Sequence, residues 1–392
     1  MERIGIYGGT FNPPHTGHIQ AAKDAVEALK LDKLIIIPAH VAPHKELPEG
    51  SPSPEQRLEM VKLAVADYPK IEVSDRELKR PGKSYTYLTI LELRRQYPKA
   101  QLFLLMGTDM FLAFESWMEP DIIMANAVIS VLYRGEKGER DVIFAQKEHL
   151  EARGGKIRIV KNQILAISST NLRRLLAFRC AEPFLPQGVG EYIREHSLYE
   201  TTADWKKLPM EELEKVVIRL LNPNRVAHVL GCRDTAMELA KRWGADIDDA
   251  ARAGLLHDVT KALDGPLQLI LCREYGTILD DFGRSNPKTL HALTGSLVAE
   301  RIFGESPAVV SAIRHHTTGK ANMSLLEKII YVADYMEPCR NFQGVEKLRE
   351  YAFSDIDAAL KLGLEMTLEN LVSRELDISP ETREALEFLN NH

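Results

Sequence analysis

The sequence predicts a doubly wound α/β domain with a parallel sheet, followed by a separate all-α domain. Three observations predict it. The first two hundred residues alternate continuous apolar runs with amphipathic stretches. From about Trp205 strand-like runs disappear and helical periodicity takes over. And 392 residues are too many for one ordinary core.

Taken in order, residues 3–7 read as a strand, followed by a Gly/Pro loop and a helix over 18–30. A second apolar run covers 34–38, then a Pro-rich loop reaches Ser53 and a helix covers 54–68. Strand 71–74, helix 85–97 and strands 102–106 and 128–133 complete the pattern. Strands apolar along their whole length, separated by helices, mean a parallel sheet covered on both faces. Ligands of such a sheet bind at the carboxyl ends of its strands. In the second half, helical patterns cover 210–221, 225–243, 247–256, 290–303 and 325–335. The polar stretch 198–204 marks the boundary, giving domains over 1–200 and 206–392. There is no internal repeat and no low-complexity segment.

Composition narrows the function. A net charge of −6, with 27% charged and 45% hydrophobic residues, argues against nucleic acid or a membrane surface as partner, since either needs surplus Lys and Arg. The four cysteines form no CxxC pair, as expected in a reducing compartment. The opening MERIGIYGGT has no basic region before an apolar segment, so a cytoplasmic location is expected. Self-association is left open.

The first chemical signal is Gly8-Gly9-Thr10-Phe11-Asn12-Pro13-Pro14-His15-Thr16-Gly17-His18, directly after the first strand. It lacks the GxGxxG pattern, so a dehydrogenase is not supported. His15 and His18, three apart where a helix begins, can face one opening beside backbone N–H groups that favour anions. That combination suits a polyphosphate. A second cluster, Ile167-Ser168-Ser169-Thr170-Asn171-Leu172-Arg173, sets hydroxyls at a helix start with Arg173 one turn on. Alone it is an ordinary N-cap. At converging strand ends it can also hold phosphates.

These two motifs together resemble the nucleotidylyltransferase superfamily, whose fold is a Rossmann-like parallel sheet. Within it the chain resembles the bacterial nicotinate-nucleotide adenylyltransferases. The resemblance rests on Pro43-His44-Lys45, Ser84-Tyr85-Thr86, Gly107-Thr108-Asp109 before Trp117, Val131-Leu132-Tyr133-Arg134-Gly135, and Tyr192-Ile193 near Leu198-Tyr199. It implies AMP transfer from ATP, with Mg²⁺, to nicotinate mononucleotide. It further implies that His15, His18 and Arg173 are catalytic, and that Gly8, Gly9, Thr10, Phe11, Lys45, Asp109, Ser169 and Thr170 bind ATP. Thr86, Tyr87, Trp117 and Arg134 would contact the pyridine nucleotide. For Trp117, a core anchor is nearly as good a reading. A different phosphorylated acceptor is the rival reading.

The second signal is a scatter of His228, His257-Asp258, His291, His315-His316 and Asp334 over helical segments. Asp334 falls in the apolar run Ile329-Ile330-Tyr331-Val332-Ala333, where an unpaired carboxylate is costly and calls for a cation. Mixed imidazole and carboxylate ligands suit Fe, Mn, Zn or Co. The order resembles the HD phosphohydrolase superfamily, and its bacterial YqeK-like group in particular. That resemblance implies symmetrical hydrolysis of diadenosine tetraphosphate to ADP at a dinuclear site, with Fe or Mn as the metal. One ion would take His228, His257, Asp258 and Asp334; Asp258 would bridge to a second on His291 and His316. His316 is preferred over His315 because it directly precedes Thr317-Thr318-Gly319. Lys261 and Arg340 would contact phosphate, whereas Arg233 reads better as a surface ion pair. A non-catalytic nucleotide-sensing module is the rival here.

Overall fold

The computed structural model describes residues 1–43, 46–133, 138–161 and 167–391. The chain divides into two compact units, Met1–Thr202 and Ala203–His392.

The first unit is the expected α/β domain. Its strands are β1 (Arg3–Gly9), β2 (Lys33–Pro38), β3 (Ile71–Val73), β4 (Gln101–Gly107), β5 (Val128–Tyr133) and β6 (Ile157–Lys161). They form one parallel sheet in the order β3-β2-β1-β4-β5-β6. Ile4, Ile6, Ile35, Ile37, Leu102, Leu104, Ile129 and Val131 are buried in one core, which explains the unbroken apolar runs. Strand order reverses between β1 and β4, so a crevice opens beyond their carboxyl ends, at Gly8 and Gly9 on one strand and Met106 and Gly107 on the other.

Two differences from expectation have physical causes. The strand Ile157–Lys161 was not foreseen: it lies at the sheet edge, and exposed Arg158 and Lys161 interrupt its apolar character. The first helix runs Thr16–Ala28, beginning earlier than expected because His15 caps it.

The second unit has no strand among its described residues. Helix Val226–Trp243 packs on Ile247–Leu256 and on Leu325–Met336. Leu290–Val298 packs on Pro307–His315, which in turn meets Leu325–Met336. Ile329, Ile330, Tyr331, Val332 and Ala333 are buried, so Leu325–Met336 is a core helix, and it carries Asp334 near its end.

Candidate functional site

In the first unit the chain leaves β1 into a loop that turns on Phe11, at φ 46°, and on a cis Asn12–Pro13 peptide. It enters the helix Thr16–Ala28 through a reciprocal cap. The His18 N–H donates to His15 Nδ1 and the His15 N–H to His18 Nδ1, each at 3.2 Å. The two rings stack with centroids 3.6 Å apart. Since both Nδ1 atoms accept, the neutral rings carry their protons on Nε2, the tautomer that donates to an oxyanion. Space at Gly17 is tight: a Cβ there would lie 3.0 Å from His15 Nδ1.

The second motif meets this loop from across the sequence. Ser168 caps the helix Ser169–Ala177 by accepting from Asn171 N–H. The Ser169 hydroxyl donates to Pro13 O at 3.0 Å. Arg173 donates to Asn12 O at 2.7 Å and to Thr170 Oγ1 at 3.2 Å. Burial presses the Arg173 guanidinium toward a lower pKa than usual, with Tyr199 opposing. Ser169 and Arg173 are thus tied through the carbonyls of Pro13 and Asn12 to the loop that leads into His15, and Arg173 to Thr170 through its hydroxyl.

The other residues stand on neighbouring segments. Asp109 is exposed in the short helix Thr108–Leu112, directly after β4. Thr86 and Tyr87 begin the helix Thr86–Gln96, and Ser84 ties its approach to the end of β2 by accepting from His40 N–H at 2.9 Å. Trp117 is half-buried against the core, 5.6 Å from the Phe114 ring, so it serves at least as an anchor. Gly8 and Gly9 end β1, and a Cβ on Gly8 would meet nothing within 4 Å. Lys45 and Arg134 lie outside the described residues.

Sequence reasoning missed two residues that hold this loop. Arg57, 1% exposed, donates to Thr10 O at 2.7 Å, Ala39 O at 2.8 Å and His40 O at 3.2 Å. Tyr199 donates its hydroxyl to Asn12 Oδ1 at 2.8 Å, while Asn12 Nδ2 donates to Ser51 Oγ at 2.9 Å. Tyr199 lies in a tail where Ser197, Tyr199 and Glu200 all take left-handed φ, at 50°, 56° and 55°. The Tyr-bearing closing stretch was visible in sequence; its contact with Asn12 was not.

In the second unit, His228, His257, Asp258, His291, His316 and Asp334 converge. His228 Nε2 lies 3.2 Å from His257 Nε2 and 3.2 Å from Asp334 Oδ1. His291 Nε2 lies 3.2 Å from His316 Nε2. Asp258 sits between the pairs. Its Oδ2 is 3.6 Å from His228 and 3.5 Å from His257, and its Oδ1 is 3.4 Å from His291 and 3.8 Å from His316. His315 turns elsewhere, its Nδ1 3.0 Å from Ser311 O.

The outward ring nitrogens are all engaged. His257 Nδ1 meets Gly254 O at 2.7 Å, His316 Nδ1 meets Ile313 O at 2.7 Å, and His291 Nδ1 meets Lys288 O at 3.0 Å. His228 Nδ1 meets the Glu337 carboxylate at 3.0 Å. Each Nδ1 therefore points out to an acceptor and each Nε2 points inward to the cluster, the arrangement of metal-bound histidines. Asp258 Oδ1 is buried and accepts no hydrogen bond. A divalent cation answers both features, and the residues fit one. His228, His257 and Asp334 form one group with ligand atoms close enough for a metal, and His257, Asp258 and His316 another.

Burial works against the charge of Asp258, yet His257, His228 and His316 hold its carboxyl well below the usual range. Asp334 is likewise held well down, burial being outweighed by His228, His257 and Arg340. Basic side chains already lean on the cluster. Arg225 pairs with Asp258, Arg340 donates to Asp334 Oδ1 at 2.6 Å, and Lys261 Nζ lies 2.8 Å from His291 Nε2. Arg233 instead pairs with Glu214 and Asp234. Glu337 and Arg225 were the residues given no role from sequence. The hint for Glu337 was its place three residues after Asp334, closing the same apolar helix.

Comparison with known proteins agrees with this division. Residues 6–175 match the family model described as cytidylyltransferase-like, and residues 225–339 match the HD domain. A Neisseria meningitidis protein named as a probable nicotinate-nucleotide adenylyltransferase is 34% identical over 206 residues, covering 51% of this chain and 100% of the relative. A Geobacter metallireducens protein of the same name is 38% identical over 212 residues, covering 50% of this chain and 98% of the relative. A Clostridium acetobutylicum structure, described as a predicted HD superfamily hydrolase involved in NAD metabolism, is 37% identical. It covers 47% of this chain and 98% of its own, with a TM-score of 0.46.

Proposed function

Because the first half of this chain belongs to the nicotinate-nucleotide adenylyltransferase family and the second carries an HD domain, we propose that it joins AMP from ATP to nicotinate mononucleotide and hydrolyses a dinucleoside polyphosphate. The observation that carries the first activity is the reciprocal cap between His15 and His18, which directs two Nε2–H donors from the end of β1. A phosphate oxygen of the mononucleotide attacks the α-phosphorus of Mg²⁺-bound ATP, the bond to the β-phosphate breaks, and pyrophosphate leaves. No protein nucleophile is needed; the residues position the reactants and offset growing charge. His15 and His18 donate to the reacting phosphoryl group. Ser169, Thr170 and Arg173 hold the departing phosphates, Gly8 to Phe11 and Asp109 seat ATP, and Thr86, Tyr87 and Trp117 contact the pyridine nucleotide. The test is product analysis with ATP, Mg²⁺ and either nicotinate or nicotinamide mononucleotide. Failure of both acceptors with folded, ATP-binding protein overturns the reading in favour of another phosphorylated acceptor.

The observation that carries the second activity is Asp258, with one oxygen toward each histidine pair. His228, His257, Asp258 and Asp334 would hold one cation, Asp258, His291 and His316 a second, with Fe or Mn as the expected metal. Held there, such a pair would supply hydroxide near neutral pH and offset the phosphate charge. Lys261, Arg225 and Arg340 can turn from the cluster to bound phosphate oxygens, orienting the chain for cleavage. We take diadenosine tetraphosphate, yielding two ADP, as the substrate. A second reading, a nucleotide sensor without catalysis, is favoured by those same three basic side chains, which already offset the cluster's charge. Metal content and ADP release from diadenosine tetraphosphate with Mn²⁺ or Fe²⁺ separate the two. Four free cysteines support a reducing, cytoplasmic setting.

A further inference from the structure

Beside the histidine cluster, within the second unit, a groove of about 690 Å³ is lined in part by Asp334, Tyr335, Arg340, Phe342, Glu369 and Asn370. Its size falls in the range of small-molecule sites. One end is chemical: Asp334 belongs to the cluster, and Arg340 grips it through both Nη2 and Nε, the latter on the Asp334 carbonyl at 2.8 Å. The middle is aromatic. Tyr335 and Phe342 meet edge to face at 5.6 Å, with Tyr335 stacked on Tyr331 at 6.0 Å behind it. Thr367 donates to the Tyr335 hydroxyl at 3.0 Å, which fixes that ring, whereas Phe342 remains 36% exposed. The far side is polar, with exposed Glu369, Asn370 and Ser373.

A cluster of metal-ligating side chains, then a guanidinium, then an exposed aromatic face, then hydrogen-bonding side chains: that succession matches a nucleotide read from phosphate to base. We propose that this groove is the nucleoside subsite of the helical unit, with a purine base stacked on Phe342 and its polar edge toward Glu369 and Asn370. The inference rests on reading the unit as a phosphohydrolase of nucleotides and adds where one nucleoside half is bound. Two features favour this over an accidental hollow. Tyr335 is held by the Thr367 hydroxyl before any ligand arrives, so the ring behind Phe342 adds little ordering cost. Stacking is also indifferent to the identity of the base, so Phe342 contributes affinity while the polar wall contributes selection.

The test uses the full chain loaded with metal. Phe342→Trp keeps a stacking face and places a reporter in the groove. Its emission is expected to change as ADP is added and to stay constant with tripolyphosphate, which has the charge but no base; the wild type serves as blank. Phe342→Ala is expected to raise the KM for diadenosine tetraphosphate about tenfold, on the scale of one lost base stack, and to leave tripolyphosphate hydrolysis unaltered. If ADP inhibits hydrolysis yet leaves the emission of the Phe342→Trp variant unchanged, or if Phe342→Ala leaves the KM unchanged, the groove assignment is overturned while the phosphohydrolase reading survives. If neither nucleotide nor tripolyphosphate is hydrolysed and ADP has no effect, the underlying reading fails and this inference with it.

Discussion

The Glu337 carboxylate holds His228 in one tautomer. Its Oε1 meets His228 Nδ1 at 3.0 Å, its Oε2 accepts the Cys339 N–H at 2.6 Å, and only 1% of the residue is exposed. Gly231 makes the approach possible, because a Cβ there would come within 2.7 Å of Glu337 Oε2. Removing a carboxylate behind a metal-binding histidine costs about 10–100-fold in metal affinity. Glu337→Ala is therefore expected to weaken Mn²⁺ binding by that order, with Glu337→Gln intermediate. Metal content after dialysis against graded Mn²⁺ measures it, and wild-type retention in both variants would refute the role.

Divalent cation is expected to raise the unfolding temperature of the protein, because only the folded chain gathers the six side chains proposed to hold it. Asp258 faces both histidine pairs, so Asp258→Asn should abolish most of that rise. The comparison is thermal unfolding with Mn²⁺ and with EDTA. A full Mn²⁺ effect in Asp258→Asn would contradict the shared position of the carboxylate.

Tyr199→Phe should leave the fold intact but loosen Asn12, lowering kcat/KM for adenylyl transfer about 2–10-fold, the worth of one hydrogen bond. Burial pushes the Tyr199 phenol well above its ordinary value, so its proton stays available and the loss should be flat from about pH 6 to 9. Steady-state kinetics across that range would show it. A defect that fades at high pH would argue for a titrating phenol instead.

Arg57 satisfies three backbone carbonyls from inside the first unit. Arg57→Ala leaves them without that donor, and each buried group left unsatisfied costs about 1–3 kcal/mol. The unfolding midpoint in urea should fall accordingly, together with adenylyl transfer. An unaltered midpoint would mean that water replaces the guanidinium.

Glu327 offers a pH-dependent case away from the metal ligands. It is buried, which alone would raise its pKa, but Lys320 at 2.8 Å, the Ser311 hydroxyl and the Ser324 N–H hold it below the ordinary value. A lowered carboxyl contributes stability that is complete above the unfolded pKa and disappears as pH falls through the folded one. Glu327→Gln should therefore destabilise at pH 7, and its difference from wild type should shrink below about pH 4. Thermal unfolding at both pH values checks the sign; a difference that grows on acidification would reverse it.

How much of this was legible in the sequence follows from what each residue does. Strands buried on both faces announce themselves, as the runs at 34–37 and 102–106 did, whereas the edge strand Ile157–Lys161 alternates with charge and passes unnoticed. Histidines and aspartates in apolar helices are conspicuous because they are out of place. Arg57 and Tyr199 act on groups 47 and 187 residues away, a relation that leaves no local pattern. Arg225 was hidden for another reason: an arginine at the start of a helix is common, and only folding brings it to Asp258.

The left-handed tail at residues 197–200 bears on how the gene can be divided. Its tyrosine reaches back to the motif after the first strand, yet it stands only three positions before the unit's last residue, Thr202. A fragment cut a few codons short would keep every strand and helix of the sheet domain and still lose a prop of its phosphate loop. A cut that keeps this prop with the sheet unit falls after Thr202 rather than at the last regular helix, Val189–Glu195.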